Sequence, residues 1–409
     1  MEEYAVTLQD IQEAATALRP HVHETPLLRA KALGQMAGVE LWLKAENLQR
    51  TGSFKVRGAF NRIRLLSPEE RRRGVVAASA GNHAQGVALA ARELGVRATV
   101  VMPEGAPLVK VESTRGYGAE VVLHGQDFDE AYAYARQLQE QRGAVLVHAF
   151  DDPAVIAGQG TVGLEIVEQL PGVEAVVVPL GGGGLASGLA VAVKSLKPRA
   201  KVVGVQAAAA PAVWRSWHEG RTVAVPVGRT LADGLAVHSP RESVLRLLRR
   251  WLDDVVTVKE DELAGAMVLL LERSKLVAEG AGAAAVAALV YGKVALHGLR
   301  TVAVLSGGNV DLNTLLRVVD RGLMKTGRLL RLRTRLVDRP GSLRRLLDVV
   351  AAHGANVVTV EHDRLAPEVP VGEAEVTLLV ETRDAEHAAA LLEDLRRRGF
   401  ATGGSSLDA

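Results

Sequence analysis

Short apolar runs rich in Val alternate with longer amphipathic stretches from about residue 40 to residue 306. Runs of this length and uniform apolarity are typical of strands buried on both faces, and the stretches between them are typical of helices. The alternation therefore predicts a mostly parallel sheet in an open α/β architecture. The predicted strands are 75–78, 98–101, 121–123, 175–178, 202–205 and 302–305.

The pattern changes after about residue 326, where two-residue periodicity replaces the long apolar runs. The new order is strand, helix, strand, strand, helix and a weak final strand near Phe400, which predicts a small separate α+β domain. The strands are expected at 329–337, 356–362 and 373–381, and the helices at 343–352 and 384–398.

Composition excludes several classes of protein. The chain has no Cys, which excludes disulfides, thiolate catalysis, iron-sulfur clusters and Cys-based zinc sites. Its net charge is +2, and its densest basic runs, 71–73 and 396–398, stand beside acidic residues as solvated helix faces do, so we expect no nucleic-acid partner. The acidic start Met1-Glu2-Glu3 and the absence of a membrane-length apolar run predict a cytoplasmic protein without a membrane partner.

Glycine-bearing loops follow three of the predicted strands, at 79–83, 179–184 and 306–309. Ligands of open α/β sheets bind beyond the carboxyl ends of the strands, so we expect these loops to converge on one site. The tetraglycine run 181–184 precedes a predicted helix, where backbone N–H groups and the helix dipole favour a phosphate. A glycine run alone is equally typical of a tight turn, and this one matches neither nucleotide-binding motif, G-x-x-x-x-G-K-[ST] or G-x-G-x-x-G.

Lys55 stands at the start of a predicted helix among small and apolar neighbours. A lone Lys is usually a solvated surface charge, but a helix N-terminus is unfavourable for a cation unless an anion is close. A phosphate-bearing aldehyde cofactor would supply that anion, and a Lys held in this way can form a Schiff base. Asn82 and Ser306 each fit a plain strand-end turn. Their alternative roles are hydrogen bonds to the phenolate oxygen and to the ring nitrogen of such a cofactor.

Taken together, these segments resemble the serine/threonine dehydratases, which belong to the tryptophan-synthase-β-like (fold type II) pyridoxal-phosphate enzymes. The resemblance covers roughly residues 5 to 325, and from about residue 328 the chain resembles an ACT domain. The motifs that carry it are Lys44-x-Glu46-x-x-Gln49-x-Thr51-Gly52-Ser53-Phe54-Lys55-x-Arg57-Gly58-Ala59, Ser79-Ala80-Gly81-Asn82-His83-Ala84-Gln85-Gly86, Gly158-Gln159-Gly160-Thr161, the tetraglycine run, Glu279-Gly280-Ala281-Gly282, Ser306-Gly307-Gly308-Asn309 and, for the ACT domain, Asp338-Arg339-Pro340-Gly341-Ser342-Leu343.

The resemblance implies a pyridoxal-phosphate catalytic domain over residues 1–325, built as two subdomains with open sheets. The smaller subdomain, about 50–147, is inserted in the larger one, and a ferredoxin-like ACT regulatory domain follows over 326–409. The implied reaction is deamination of L-threonine to 2-oxobutanoate and ammonia, and of L-serine to pyruvate, in isoleucine biosynthesis or threonine catabolism. Lys55 is implied to hold the cofactor and, once freed by the substrate amine, to remove the Cα proton.

The resemblance also implies a set of binding residues. An amino-acid effector, with isoleucine as the first candidate, is expected at an ACT interface of a homodimer or homotetramer. The implied cofactor contacts are Phe54, Lys55, Asn82, Gly181, Gly182, Gly183, Gly184, Leu185 and Ser306. The implied substrate contacts are Ser79, Ala80, Gly81, Asn82, His83 and Glu279, and the implied effector contacts are Asp338, Arg339, Pro340 and Gly341.

Several alternatives stay open at this point. Racemases of the family usually carry Ser where Ala80 stands, which disfavours serine racemisation without excluding it. β-Replacement and threonine synthesis use the same fold, and a regulator without catalysis is the non-enzymatic alternative, although Lys55 and the glycine run are intact. The C-terminal domain alone could serve only for oligomerisation. Relatives that hold a divalent cation have carboxylates near the position of Gln206, and the Ala run 207–210 predicts no metal here.

Overall fold

A computed structural model describes residues 6–403. The acidic start Met1-Glu2-Glu3 and the last six residues of the expected C-terminal domain lie outside these residues. The chain divides into two compact units between Val310 and Asp311. No helix within residues 6–403 has both the length and the apolarity to cross a membrane.

The first unit contains thirteen α-helices and ten strands among its described residues. Two 3₁₀ turns, Glu46–Leu48 and Asp233–Leu235, and one π-helical turn, Leu270–Ser274, interrupt them. In chain order the elements are α1 (Leu8–Leu18), β1 (Leu27–Arg29), α2 (Lys31–Ala37), β2 (Glu40–Ala45), α3 (Lys55–Arg64), α4 (Pro68–Arg73), β3 (Val75–Ala78), α5 (Asn82–Glu93), β4 (Ala98–Met102), α6 (Leu108–Gly116), β5 (Glu120–Leu123), α7 (Phe128–Arg142), β6 (Val145–Leu146), α8 (Pro153–Gln169), β7 (Ala175–Pro179), α9 (Gly184–Leu196), β8 (Lys201–Ala207), α10 (Ala212–Glu219), α11 (Glu242–Trp251), β9 (Asp254–Val258), α12 (Glu260–Leu269), α13 (Gly280–Val290) and β10 (Arg300–Leu305).

These strands form two sheets. The smaller sheet has the order β5-β4-β3-β6 and is parallel throughout. The larger sheet has the order β1-β2-β10-β7-β8-β9, and only its edge pair β1–β2 is antiparallel. All six strands expected from the apolar runs are present, so the predicted mostly parallel α/β architecture is confirmed. Their division between two sheets was implied only by the family resemblance.

Small residues bring α8 and α9 into close contact. A Cβ on Gly188 of α9 would lie 2.2 Å from the carbonyl oxygen of Ile156 on α8, so no larger residue fits without moving a helix backbone. Both helices are almost completely buried. This contact places the start of α9, which carries the tetraglycine run, firmly against the core.

The second unit carries the α+β pattern. Its elements are α14 (Leu312–Lys325), β11 (Leu329–Val337), α15 (Ser342–Ala352), β12 (Asn356–Asp363), β13 (Glu373–Glu381) and α16 (Ala385–Arg397). The strands form an antiparallel sheet in the order β11-β13-β12. Alternate residues of β11 and β13 are buried, as the two-residue periodicity predicts, and they form one apolar cluster with residues of α15 and α16.

The expected final strand near Phe400 is wrong. The Phe400 N–H donates to the carbonyl of Leu395, and Gly399 has a φ of 84°, so these residues close the C-terminus of α16. The side chain of Phe400 packs against the apolar cluster of the unit. The only β-pairing beyond α16 in the described residues is a single bridge between Gly403 and Arg333.

Candidate active site

The tetraglycine run forms the turn from β7 into α9. Gly183 has a φ of 95°, a left-handed conformation that favours glycine. A Cβ on Gly182 would lie 2.3 Å from the ring of Phe150, so the ring occupies the space that a side chain would need. Within residues 6–403, the backbone N–H groups of residues 181–186 have no hydrogen-bond acceptor. Such a row of donors at a helix N-terminus fits a phosphate.

Lys55 begins α3 and is half-buried. Its Nζ donates to the carbonyl of Ala149 at 3.1 Å and lies 5.2 Å from the centre of the Phe54 ring. Burial lowers the pKa of Lys55 to about 8, and the carboxylate of Glu279 acts in the opposite direction. A larger fraction of this amine is therefore unprotonated near neutral pH than for an ordinary lysine.

Asn82, the first residue of α5, lies between two other polar side chains. Its Nδ2 donates to Oε1 of Glu279 at 2.7 Å, and its Oδ1 accepts from Nδ2 of Asn309 at 2.7 Å. The same Nδ2 of Asn309 also donates to the carbonyl of Thr51 at 2.7 Å. These bonds fix the orientation of the Asn82 amide. They also bring together the loops after β3 and β10, as the sequence predicts.

Glu279 is 7% exposed and precedes α13. Burial raises the pKa of Glu279 to about 7, and the negative charge of Asp233 adds to this shift, whereas the Asn82 hydrogen bond opposes it. Asp233 is paired in turn with Lys110 of α6 at 3.1 Å. This ion pair connects helix α6, which follows a strand of the smaller sheet, with a turn of the larger subdomain.

The loop 79–83 presents backbone donors. The N–H of Gly81 is held by Oγ of Ser79 at 3.1 Å, while the N–H groups of residues 82–84 have no acceptor within the described part of the chain. The space beside Gly81 and Ala80 is open on the Gly81 side, since a Cβ there would meet no atom within 4 Å. These donors fit a carboxylate.

The His83 side chain points into the protein. Its Nε2 lies 2.8 Å from the carbonyl of Val147, and burial lowers its pKa to about 3, so the ring is neutral at physiological pH. The backbone N–H of His83 is the group that remains for a ligand. The imidazole itself fixes the end of the smaller sheet.

Ser306 follows β10 and is 3% exposed. Its carbonyl accepts from the N–H of Phe54 at 3.2 Å, and its hydroxyl has no hydrogen bond to residues 6–403. Leu185, the second residue of α9, is buried. The hydroxyl of Ser306 thus remains available close to the start of α3.

A buried ionic cluster fixes α3 two residues beyond Lys55. The guanidinium of Arg57 is bidentate to Glu46, with both nitrogen–oxygen distances 2.8 Å, and also contacts Glu165 at 2.6 and 3.0 Å. Lys44 lies 2.6 Å from the same Glu165. Lys44, Glu46 and Arg57 are completely buried, so the cluster ties β2, α3 and α8 together.

Three features of the site were not singled out from the sequence. Asn309 was recognised only as part of a motif, although its amide orients Asn82. The turn 148–151, whose Ala149 carbonyl accepts from Lys55, carries no local pattern that marks it. The Lys110–Asp233 pair joins residues that are distant in sequence.

The expected effector residues lie in the turn from β11 to α15. The carboxylate of Asp338 is 3.2 Å from Nε of Arg364, and the N–H of Asp338 donates to the carbonyl of Gly372. Gly341 has a φ of 87° and directly precedes α15. The side chains of Asp338 and Arg364 are 30% and 62% exposed, so this turn is largely open to solvent.

Comparisons with known proteins agree with this geometry. Residues 18–307 match the family of pyridoxal-phosphate dependent enzymes, and residues 330–398 match the ACT domain. An L-threonine ammonia-lyase of Thermotoga maritima is 52% identical over 97% of this chain and 98% of its own length.

Solved structures are similar as well. A threonine deaminase from the organism abbreviated T.th. is 45% identical, with a TM-score of 0.70 over 75% of this chain and 99% of that one. Maize serine racemase is 35% identical, with a TM-score of 0.74 over 79% and 99% of the two chains. With the phosphate-binding donors, the half-buried Lys55 and a C-terminal ACT domain in one chain, this protein belongs to the family of pyridoxal-phosphate dependent enzymes.

Proposed function

We propose that this enzyme deaminates L-threonine to 2-oxobutanoate and ammonia, and L-serine to pyruvate. The observation that carries the proposal is the position of Lys55. Its amine, with a pKa of about 8, lies at the start of α3 and contacts the turn that packs on the glycine loop. The identity of 52% to an L-threonine ammonia-lyase, spread over nearly the whole chain, supports threonine as the substrate.

Residues of the chain have distinct tasks in this mechanism. The N–H groups of residues 181–186 hold the phosphate of pyridoxal phosphate, and Asn82 donates to the oxygen on its ring. The N–H groups of residues 82–84 hold the substrate carboxylate at the start of α5. The bound cofactor supplies an electron sink for the negative charge that develops at Cα.

Lys55 is the catalytic base. Its partly unprotonated amine removes the Cα proton of the substrate, because a base with a pKa near the working pH is an effective proton acceptor. Ser306 presents a neutral hydroxyl, rather than a carboxylate, to the ring nitrogen, so that nitrogen is not driven to protonate. This limits how long charge stays delocalised and favours prompt loss of the β-hydroxyl.

Racemisation of serine is the second candidate, because maize serine racemase is among the similar structures. It requires a second acid or base on the face of Cα opposite Lys55. Ala80 stands where racemases of the family usually carry Ser, and a methyl group transfers no proton. We therefore propose elimination and not racemisation as the main reaction.

The test is to supply the purified holoenzyme with L-threonine and, separately, L-serine, and to follow 2-oxo acid formation and the appearance of D-serine. We expect rapid 2-oxobutanoate and pyruvate release with little D-serine. Bound cofactor without 2-oxo acid formation would contradict the proposal and direct attention to β-replacement. The Ala80→Ser variant is the matched control for racemisation, since it restores the missing hydroxyl.

We further propose that residues 326–409 form a regulatory domain for an amino-acid effector, with isoleucine first and valine second. The match of residues 330–398 to the ACT domain supports effector binding. We also propose a homodimer or homotetramer, since closed symmetry is the usual arrangement of such enzymes. Threonine kinetics measured across isoleucine and valine titrations test the effector, and unchanged kinetics would contradict it. Cytoplasmic residence stays a prediction.

A further inference from the structure

The turn 148–151 joins the two halves of the site. On one side the Ala149 carbonyl accepts from Nζ of Lys55 at 3.1 Å. On the other side the Phe150 ring lies where a Cβ of Gly182 would be, and the Phe150 backbone is packed against Gly184, whose Cβ would lie 3.0 Å from the Cα of Phe150. The position of this turn therefore sets both the reach of the lysine amine and the backing of the phosphate loop.

His148 determines the shape of the turn. Its Nδ1 accepts from the N–H of Phe150 at 3.2 Å and from the N–H of Asp151 at 2.9 Å. Its ring also meets the Phe150 ring edge-on, with centroids 4.7 Å apart. One ring nitrogen thus holds two consecutive backbone donors, which requires that this nitrogen carry no proton.

The electrostatic surroundings favour that form. Burial lowers the pKa of His148, while the carboxylate of Asp151 acts in the opposite direction. Asp151 is itself held by the hydroxyl of Ser243 on α11 at 2.8 Å. The next residue, Asp152, caps α8 and pairs with Arg62 of α3 at 2.7 Å. The turn is therefore anchored on both sides, and His148 supplies the contact that curves it.

We propose that His148 is a positioning residue: its unprotonated Nδ1 fixes the 148–151 turn, so that the Ala149 carbonyl orients the Lys55 amine and Phe150 backs the glycine loop. His148 touches neither Lys55 nor the glycine run in the contacts described above, and it acts through its two neighbours. The inference rests on the proposed function only in taking Lys55 as the lysine that holds the cofactor.

An isosteric pair of variants tests this. His148→Asn places an amide oxygen where Nδ1 accepts, whereas His148→Leu has the same shape without an acceptor. We expect the Asn variant to keep the dissociation constant of pyridoxal phosphate within about threefold of wild type, and the Leu variant to raise it about tenfold or more, the effect of one or two lost hydrogen bonds. In the Leu variant kcat should fall while KM for threonine changes little, because the misplaced group is the base.

Cofactor retention is measured by equilibrium dialysis of the holoenzyme and by its absorbance, and both are independent of turnover. His148→Gln serves if the Leu variant does not fold, because its amide oxygen lies one bond farther out and we expect it to behave like Leu. His124→Leu, at a ring that stacks on Tyr134 with centroids 4.0 Å apart, is the control for loss of a histidine in the same unit and should keep the cofactor.

Equal losses in the Asn variant and in the Leu or Gln variant would overturn the proposal, since they would mean that the imidazole only fills space. Wild-type affinity and kcat in all three would overturn it as well. A wild-type enzyme that binds the cofactor but releases no 2-oxo acid would contradict the proposed function, and the dissociation constants would still decide the role of His148.

Discussion

The surroundings of Lys55 and the turn at Asp338 differ in how their charged groups are held. Close to Lys55, the side chains of Arg57 and Glu46 are 1% and 0% exposed and satisfy each other through two hydrogen bonds. At the turn, Asp338 has an ion pair to Arg364, with side chains 30% and 62% exposed. Water screens the second pair and not the first.

This difference indicates that the first site is preorganised by the fold, whereas the turn has little of its own structure to lose. Buried charges are costly to leave alone, so the ionic cluster holds α3 in one position. An exposed pair contributes little to stability and can exchange partners cheaply. The first arrangement suits catalysis, which depends on fixed geometry, and the second suits a site that responds to a ligand.

The largest effect is expected at Lys55 itself. Lys55→Ala should lower the threonine deamination rate by about a thousandfold or more, because the base is lost. The absorbance of the lysine-bound cofactor should disappear as well. Far-UV circular dichroism should stay unchanged, since Ala at a helix start costs little. Appreciable residual turnover in the variant would contradict the role of Lys55 as the base.

The buried cluster should show the next largest effect. Arg57→Met leaves Glu46 and part of Glu165 without their cation, so we expect the free energy of unfolding of the first unit to fall by about 3–5 kcal/mol. Urea unfolding followed by tryptophan fluorescence measures this. Pairing the change with Glu46→Met should restore part of the loss, because the carboxylate is then no longer buried alone. If the double variant is destabilised by the sum of the single changes, the cluster is not acting as a unit.

Much of the catalytic site was predictable because it rests on local backbone patterns. The apolar runs and the glycines fix where strands end and donors point, so 79–83, 181–184 and 306–309 were found from the sequence. The burial of Arg57 was not, since an isolated Arg is usually exposed. Nor was Asn309, whose Nδ2 meets Asn82 across 227 positions of sequence. Side-chain contacts of this range depend on the tertiary fold and leave no local pattern.

In the second unit the alternation of buried and exposed residues predicted three strands and two helices. It failed at Phe400, because the same apolar residue suits an edge strand and the end of a helix that packs on a sheet. Its effector turn was found only by resemblance. The pair Asp338–Arg364 joins two loops and could not be read from spacing.

Glu279 sharpens the contrast through pH. Its pKa of about 7 lies above the ordinary value of 4.5, so the native state keeps a proton that the unfolded chain releases between these pH values. Stability from this group is present below about pH 4.5 and is lost as the pH rises through about 7. We therefore expect the urea midpoint of wild type to fall, relative to that of Glu279→Gln, over this range. A constant difference between the two midpoints would mean that Glu279 has no raised pKa.

The smallest effect on stability, and the most specific one on regulation, is expected at the exposed turn. Arg364→Ala should change the free energy of unfolding by less than about 1 kcal/mol, because its pair with Asp338 is solvated. If residues 338–341 contact the effector, freeing Asp338 should shift the isoleucine concentration for half-maximal effect severalfold. Arg344→Ala is the matched control, since Arg344 pairs with Asp348 on the surface of α15, with side chains 84% and 64% exposed. Equal isoleucine responses in the two variants would place the effector elsewhere in the C-terminal unit, because only the first change alters the turn.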